Sequence, residues 1–143
     1  MKTLRQILND KKHKEIISIA PNRPVFDALV IMAEYKIGAL GVMQDEKLVG
    51  IFSERDYARE IVLQGRSSKT TQIHEVMSSN VIFGKPDDMV DSAMAMMSEK
   101  RIRHLPIIEG DKMLGMLSLG DLVKETLSYQ QMLIKQLENY IRG

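Results

Sequence analysis

The sequence contains no cysteine, which excludes disulfide bonds, zinc sites built on thiolates and catalysis by a thiol. No apolar run approaches the ~18 residues that a membrane-spanning helix needs. The first residues, 1–5, lack the apolar stretch of a signal peptide. The net charge of +1 is far from the basic excess that is typical of nucleic-acid-binding proteins. We therefore expect a stand-alone cytoplasmic domain that binds neither nucleic acid nor membrane.

The sequence also offers little support for a catalytic centre. Its three histidines, His13, His74 and His104, are scattered and lack the spacing of zinc ligands. No glycine-rich phosphate loop and no serine–histidine–carboxylate arrangement is recognisable. These absences favour a binding or interaction function, and we expect no enzymatic activity and no catalytic cofactor.

What the chain does contain is a long internal repeat. When the sequence is shifted by 65 positions, Pro21 falls on Pro86, and the register holds without a gap to Glu60 and Glu125. Twelve of these 40 positions are identical, and most of the others exchange one apolar residue for another. A repeat of this length is one supersecondary unit made twice. Two copies imply two equivalent clefts, so the function is expected where the copies meet.

The hydrophobic periodicity predicts the same order in both copies: strand, helix, strand, strand, helix. The predicted elements are Ile16–Ala20, Pro24–Tyr35, Ala39–Met43, Lys47–Phe52 and a helix from Glu54, then Val81–Lys85, Met89–Lys100, His104–Ile108, Lys112–Leu117 and a helix from Leu119 to Ile141. A short lead-in helix precedes each copy, over Thr3–Leu8 and from Thr71. The predicted class is therefore mixed α/β (α+β).

The last helix extends past the repeat that would cover it. Apolar residues recur along it at near-helical spacing. The stripe either packs on its own chain or forms a dimer contact. In the second case, exposed apolar faces pair two copies; they contain Ile61 and Leu63 together with Leu127, Ile134 and Leu137.

Each copy carries a Ser-x-x-Asp motif where a strand ends and a helix begins, Ser53–Asp56 and Ser118–Asp121. The spacing is that of a helix-capping box, which is a purely structural role. The same geometry suits a nucleotide, because helix N–H groups bind phosphate and a carboxylate accepts the hydroxyls of a ribose. Arg55 adds a phosphate partner in the first motif only, since Gly120 occupies its place in the second.

A second suggestive segment, Lys100–Pro106, places three cations and His104 at the start of a strand. It is either a solvated basic edge or the wall of a cleft. The corresponding first-copy segment, Lys36–Gly41, keeps one charge and is otherwise small and apolar. If both segments line clefts, one cleft is strongly basic and the other is nearly neutral.

The repeat in register, the two Ser-x-x-Asp ends and the Arg103–Pro106 strand closely resemble tandem CBS domains, named after cystathionine β-synthase, in the pair known as a Bateman module. The resemblance covers about residues 3–127. It implies two βαββα units packed with pseudo-two-fold symmetry, plus a C-terminal helical extension. The implied divisions are 1–66 for the first repeat with its lead-in helix, 71–127 for the second, and 128–143 for the extension.

In this family, the clefts bind adenosine nucleotides such as AMP, ADP, ATP, NAD or S-adenosylmethionine, and the motif of one repeat works with the early strands of the other. Carried over, one site contains Ser53, Arg55 and Asp56 facing Ile102, Arg103 and His104, and the other contains Ser118 and Asp121 facing Ser18, Ile37, Gly38 and Ala39. The aspartates would hold ribose hydroxyls, the serines and cations would hold phosphate, and the segments around Ile37 and Ile102 would hold adenine. The family often has threonine shortly before the first proline of each repeat, where this chain has Ser18 and Phe83.

The resemblance implies a homodimeric regulatory module that senses an adenine nucleotide, AMP, ATP or NAD, and signals to a protein partner. The alternative is a structural dimerisation module whose clefts are vestigial.

Overall fold

The computed structural model describes residues 1–11 and 16–143, so that His13 lies outside the described residues. The helices are α1 (Leu4–Asp10), α2 (Val25–Tyr35), α3 (Glu54–Asp56), α4 (Ile73–Val76), α5 (Val90–Lys100) and α6 (Leu119–Arg142). The strands are β1 (Ser18–Ile19), β2 (Ala39–Gln44), β3 (Lys47–Ser53), β4 (His104–Glu109) and β5 (Lys112–Ser118). Strands β1, β2 and β3 form one sheet in that order, and β4 pairs with β5 in a second. The predicted mixed α+β class with a C-terminal helix is confirmed.

Two segments differ from the sequence-based expectation. Only an isolated parallel bridge, Gly84 to Ile107, forms where a strand was predicted over Val81–Lys85. The corresponding strand of the first copy, β1, is itself only two residues long, so the two copies differ by one paired residue, Ser18 against Phe83. The closing helix of the first copy is also unusual, because α3 continues as a π-helical segment, Tyr57–Val62. That segment buries Ile61, which is only 3% exposed, so its expected place on an exposed face is wrong.

The chain forms two compact units. Unit 1 contains the described part of Met1–Glu15 together with Phe83–Glu109 and Leu114–Gly143, and unit 2 contains Ile16–Ile82 and Gly110–Met113. Helix α1 therefore lies in the unit of the second repeat, although it precedes the first repeat along the chain. The repeat boundaries at 66, 71 and 127 stay a prediction.

The lead-in helices α1 and α4 occupy matching places in the two units. The first backbone N–H groups of each helix donate to carbonyls just before the long helix of its unit, α5 or α2. These bonds are Leu4 N to Asp88 O and Arg5 N to Pro86 O in unit 1, and Ile73 N to Arg23 O and His74 N to Pro21 O in unit 2, at 2.9–3.0 Å. Because the N-terminal N–H groups of a helix have no intrahelical partner, these bonds fix where each lead-in helix begins.

An apolar side chain from each lead-in segment rests on a strand glycine: Leu8 lies within α1, and Met77 directly follows α4. A Cβ built on Gly50 of β3 would lie 2.5 Å from Met77 Sδ, and one on Gly115 of β5 would lie 2.9 Å from Leu8 Cδ2. The glycines thus allow close approach between the lead-in segment and the sheet in both units.

The buried side chains follow the predicted apolar faces. In unit 2 the core contains Val25, Leu40, Val42, Phe52 and Ile73, and in unit 1 it contains Leu4, Val90, Leu105, Leu117 and Leu122. Only the first part of α6 packs on this core, because all of its residues from Gln130 onward are exposed. Across residues 1–11 and 16–143, every helix falls short of the length and hydrophobicity that would cross a bilayer.

Candidate functional site

The first Ser-x-x-Asp motif forms a complete capping box at the start of α3. Ser53 N and Ser53 Oγ donate to Asp56 Oδ2 at 2.9 and 3.0 Å, and Asp56 N donates back to Ser53 Oγ at 3.2 Å. Ser78 Oγ donates to the second carboxylate oxygen, Asp56 Oδ1, at 3.2 Å. The carboxylate is therefore held at a fixed position by the backbone N–H and hydroxyl of Ser53 and by a hydroxyl from the segment after α4.

Residues of the same repeat surround this motif in unit 2. Ala39 lies directly opposite Ser53 in the β2–β3 ladder, and Glu54 N donates to Gly38 O at 3.0 Å. Ser18 lies on the neighbouring strand, paired with Gly41. The candidate residues Ser18, Ile37, Gly38 and Ala39 thus lie on the part of unit 2 that also holds Ser53, Arg55 and Asp56.

Unit 1 repeats the arrangement around the second motif. Ser118 N donates to Asp121 Oδ2 at 2.8 Å, and Asp121 N donates to Ser118 Oγ at 3.1 Å. Leu119 N donates to Arg103 O at 2.8 Å, as Glu54 N does to Gly38 O in unit 2. The candidate residues Ile102, Arg103 and His104, which lead into β4, therefore lie beside the start of α6.

The second motif also has a cationic partner from outside the motif. Lys11, the residue after α1, donates from Nζ to Asp121 Oδ2 and to Met116 O, both at 3.1 Å. Burial raises the pKa of the Asp121 carboxyl, but the Ser118 N–H and the Lys11 charge lower it by more, so that the pKa lies below its ordinary value. Asp121 is therefore held as a carboxylate, next to a cation.

Sequence analysis missed two residues at these motifs, Lys11 and Ser78. Both follow a lead-in helix, and these helices correspond at a different offset from the repeat: Thr3 caps α1 as Gln72 caps α4, 69 positions apart. A search for a second offset among the residues before Pro21 would have aligned the two segments. The pairing of each motif with the early strands of the other repeat stays a prediction.

The chemistry available at both motifs is that of hydrogen bonding and charge. Each carboxylate is an acceptor of the kind that binds ribose hydroxyls, and hydroxyl and backbone N–H donors lie beside it. Among the described residues, no group of three or more histidine, aspartate and glutamate side chains is arranged to hold a metal ion. The arrangement therefore favours recognition of a polar small molecule.

Comparisons with known proteins agree with this geometry. A sequence model of the CBS domain matches the chain twice, over residues 5–63 and 73–128. The mitochondrial CBS domain-containing protein CBSX3 of Arabidopsis thaliana is 39% identical over 124 residues, which are 83% of this chain and only 60% of that protein. Because that relative is mitochondrial, the cytoplasmic location stays a prediction.

Solved structures share the fold. A CBS-domain protein from Burkholderia ambifaria is 44% identical, with a TM-score of 0.85 over 89% of this chain and 95% of that chain. The CBS domain pair of protein MJ0100, solved in complex with 5′-methylthioadenosine and S-adenosyl-L-methionine, is 24% identical, with a TM-score of 0.80 over 90% of this chain and 98% of that chain.

Proposed function

The chain belongs to the CBS-domain family, and from that premise we propose that it is a regulatory module that binds an adenosine-containing ligand and signals its presence to a partner protein. The observation that carries the proposal is the repeated geometry of Asp56 and Asp121. In both units, a carboxylate lies in the first turn of a helix, beside the backbone that leads into β2 or β4. A ribose diol is the ligand group that such a carboxylate fits.

AMP, ATP and NAD are the ligands that we propose to test first. The adenosine-containing ligands of the MJ0100 structure support this class, since that protein shares the fold. In the proposed sites, Ser53, Arg55 and Asp56 work with Ile102–His104, while Ser118 and Asp121 work with Ser18 and Ile37–Ala39. The ligand acts as a signal, and no chemical turnover is proposed.

Isothermal titration calorimetry with AMP, ATP and NAD on two variants tests the proposal. Asp56→Asn and Asp121→Asn each replace a carboxylate by an amide of the same shape, which still offers one oxygen to the capping N–H. A hydrogen bond to a charged group contributes about 1.5–3 kcal/mol. Each variant should therefore lose about 10- to 100-fold in affinity at its own site.

Glu75 provides the matched control. Its carboxylate accepts from Gln72 N at 2.7 Å in the capping box of α4, so it has the same structural role outside both candidate sites. Glu75→Gln should leave nucleotide affinity unchanged. Equal affinities in the wild type and in both aspartate variants would show that the motifs are only helix caps.

We also propose that α6 pairs two copies into a homodimer. Leu127, Ile134, Leu137 and Ile141 recur on one side of the helix and are 55–81% exposed. Lys135 and Glu138 lie along one flank of this stripe, so that two antiparallel helices can place opposite charges together. A second copy would cover the apolar stripe and pair these charges.

The same stripe supports the second candidate function, a dimerisation module without ligand. A thermal-shift screen separates the two functions. A nucleotide at ~100 times its dissociation constant stabilises the folded state by about 2.7 kcal/mol, whereas a module with vestigial clefts shows no shift with any nucleotide.

A further inference from the structure

The contacts of Lys11 carry an inference that rests on the proposed function and makes it more specific. The second motif has Gly120 where the first has Arg55, so the sequence predicts a nearly neutral site at Asp121. In the folded chain, Lys11 comes to that carboxylate from the end of α1, more than a hundred residues away along the chain.

We propose that Lys11 is a specificity-determining residue of the Asp121 site, where it supplies the cation for an anionic group of the ligand. Two acceptors on different elements hold its ammonium group, Asp121 Oδ2 and Met116 O, both at 3.1 Å. An ammonium group has three N–H donors, so a third donor remains to reach a phosphate. The side chains of Lys11 and Asp121 are 32% and 28% exposed, which leaves the pair accessible to a ligand.

The first motif shows why this cation matters. Asp56 Oδ1 accepts from a neutral hydroxyl, Ser78 Oγ, whereas Asp121 accepts from an ammonium. A ribose bound at Asp121 would thus lie beside a positive charge that comes from outside the repeat motif. The expected consequence is discrimination: a phosphorylated nucleoside should gain affinity from Lys11, and the unphosphorylated nucleoside should not.

Calorimetry with adenosine and AMP in an Asp56→Asn background isolates the Asp121 site. In that background, Lys11→Met should lower the affinity for AMP about 10-fold or more, as expected for the loss of a charge-assisted hydrogen bond. The affinity for adenosine should change less than threefold. Lys11→Arg should retain most of the AMP affinity because it keeps the charge.

Lys2→Met is the matched control, because Lys2 Nζ joins the same N-terminal segment to α6 through Glu125 Oε2 at 3.5 Å, one helical turn beyond Asp121. Lys2→Met should leave the affinities for adenosine and AMP unchanged. Urea unfolding should confirm that all variants fold.

The outcomes separate this inference from the proposed function. Equal losses of adenosine and AMP in Lys11→Met would show that Lys11 only positions Asp121, and a gain in AMP affinity would show that Lys11 occupies the place of the ligand. Either result overturns the assignment of Lys11 and leaves the proposed function standing. If adenosine, AMP, ATP and NAD all fail to bind to the wild type, the proposed function fails and this inference fails with it.

Discussion

Gly50→Ala is expected to destabilise the protein, while the equivalent change Gly115→Ala is expected to be nearly neutral. The added Cβ at position 50 would lie 2.5 Å from Met77 Sδ, 3.0 Å from its Cγ and 3.1 Å from Ser78 O. The Ser78 backbone cannot give way easily, because Ser78 N and Ser78 O are both hydrogen-bonded to Ile51 at 2.9 and 3.0 Å. Met77 must therefore move as a whole, including its Cγ.

At position 115 the obstacle is smaller. The closest atom is Leu8 Cδ2 at 2.9 Å, and the next contacts, at 3.7 and 3.8 Å, are ordinary. A change of rotamer at Leu8 removes the close contact. Overpacking typically costs about 1–3 kcal/mol, and a glycine-to-alanine change recovers about 0.4–1 kcal/mol through the unfolded chain. We expect a net loss of about 1–2 kcal/mol for Gly50→Ala and about zero for Gly115→Ala.

Urea unfolding of both variants, followed by circular dichroism, measures this difference in the free energy of unfolding. Equal free energies of unfolding for the two variants would refute the reasoning. It requires that the hydrogen-bonded backbone of Ser78 cannot move away from the new Cβ as easily as the end of the Leu8 side chain can.

Three further predictions concern the tail, the acid response and the core. Truncation after Ser128 should weaken self-association and leave the units folded; sedimentation that is unchanged relative to the full chain would contradict the assigned role of α6. Because the pKa of Asp121 is lowered in the folded state, its contribution to stability is complete above the ordinary carboxyl pKa of about 4 and is lost as pH falls through the lowered value. Asp121→Asn should therefore lose less stability than the wild type between pH 5 and pH 2, as measured by urea unfolding. Phe52→Ala should cost about 3–5 kcal/mol because Phe52 is fully buried, whereas Phe83→Ala, at a side chain 45% exposed, should cost less than about 1 kcal/mol.

The sequence predicted most helices and strands within one or two residues, because each element is present twice and the two copies constrain one another. Strand β4 and helix α5, for instance, begin at the residues that the first copy implies. The predicted strand at Val81–Lys85 formed only a bridge at Gly84, and its first-copy counterpart β1 is likewise short, with two residues. The π-helical segment was not predicted either. It buries Ile61 in a helical geometry that a 3.6-residue period does not describe.

The candidate site was predictable where it is local in sequence and not where it depends on tertiary packing. The capping bonds of Ser53 and Ser118 follow from a four-residue pattern, and both formed. Lys11 and Ser78 reach the carboxylates only because the lead-in helices are placed by hydrogen bonds to distant segments. No periodicity around Lys11 marks it as a neighbour of Asp121.

The place of α1 has a consequence for how the chain folds during synthesis. Helix α1 leaves the ribosome before the strands of both units, yet Leu8 rests on Gly115, roughly a hundred residues later. The main segment of unit 2 is continuous from Ile16 to Ile82. Its sheet can therefore form while β5, on which α1 packs, has not yet been synthesised. Contacts of such high sequence separation form late and slowly, and they leave apolar surface exposed for chaperones. In a nascent chain stalled before β5, unit 2 should therefore be folded while α1 is not yet packed on its sheet. Limited proteolysis of ribosome-bound chains would detect this state as early cleavage near α1.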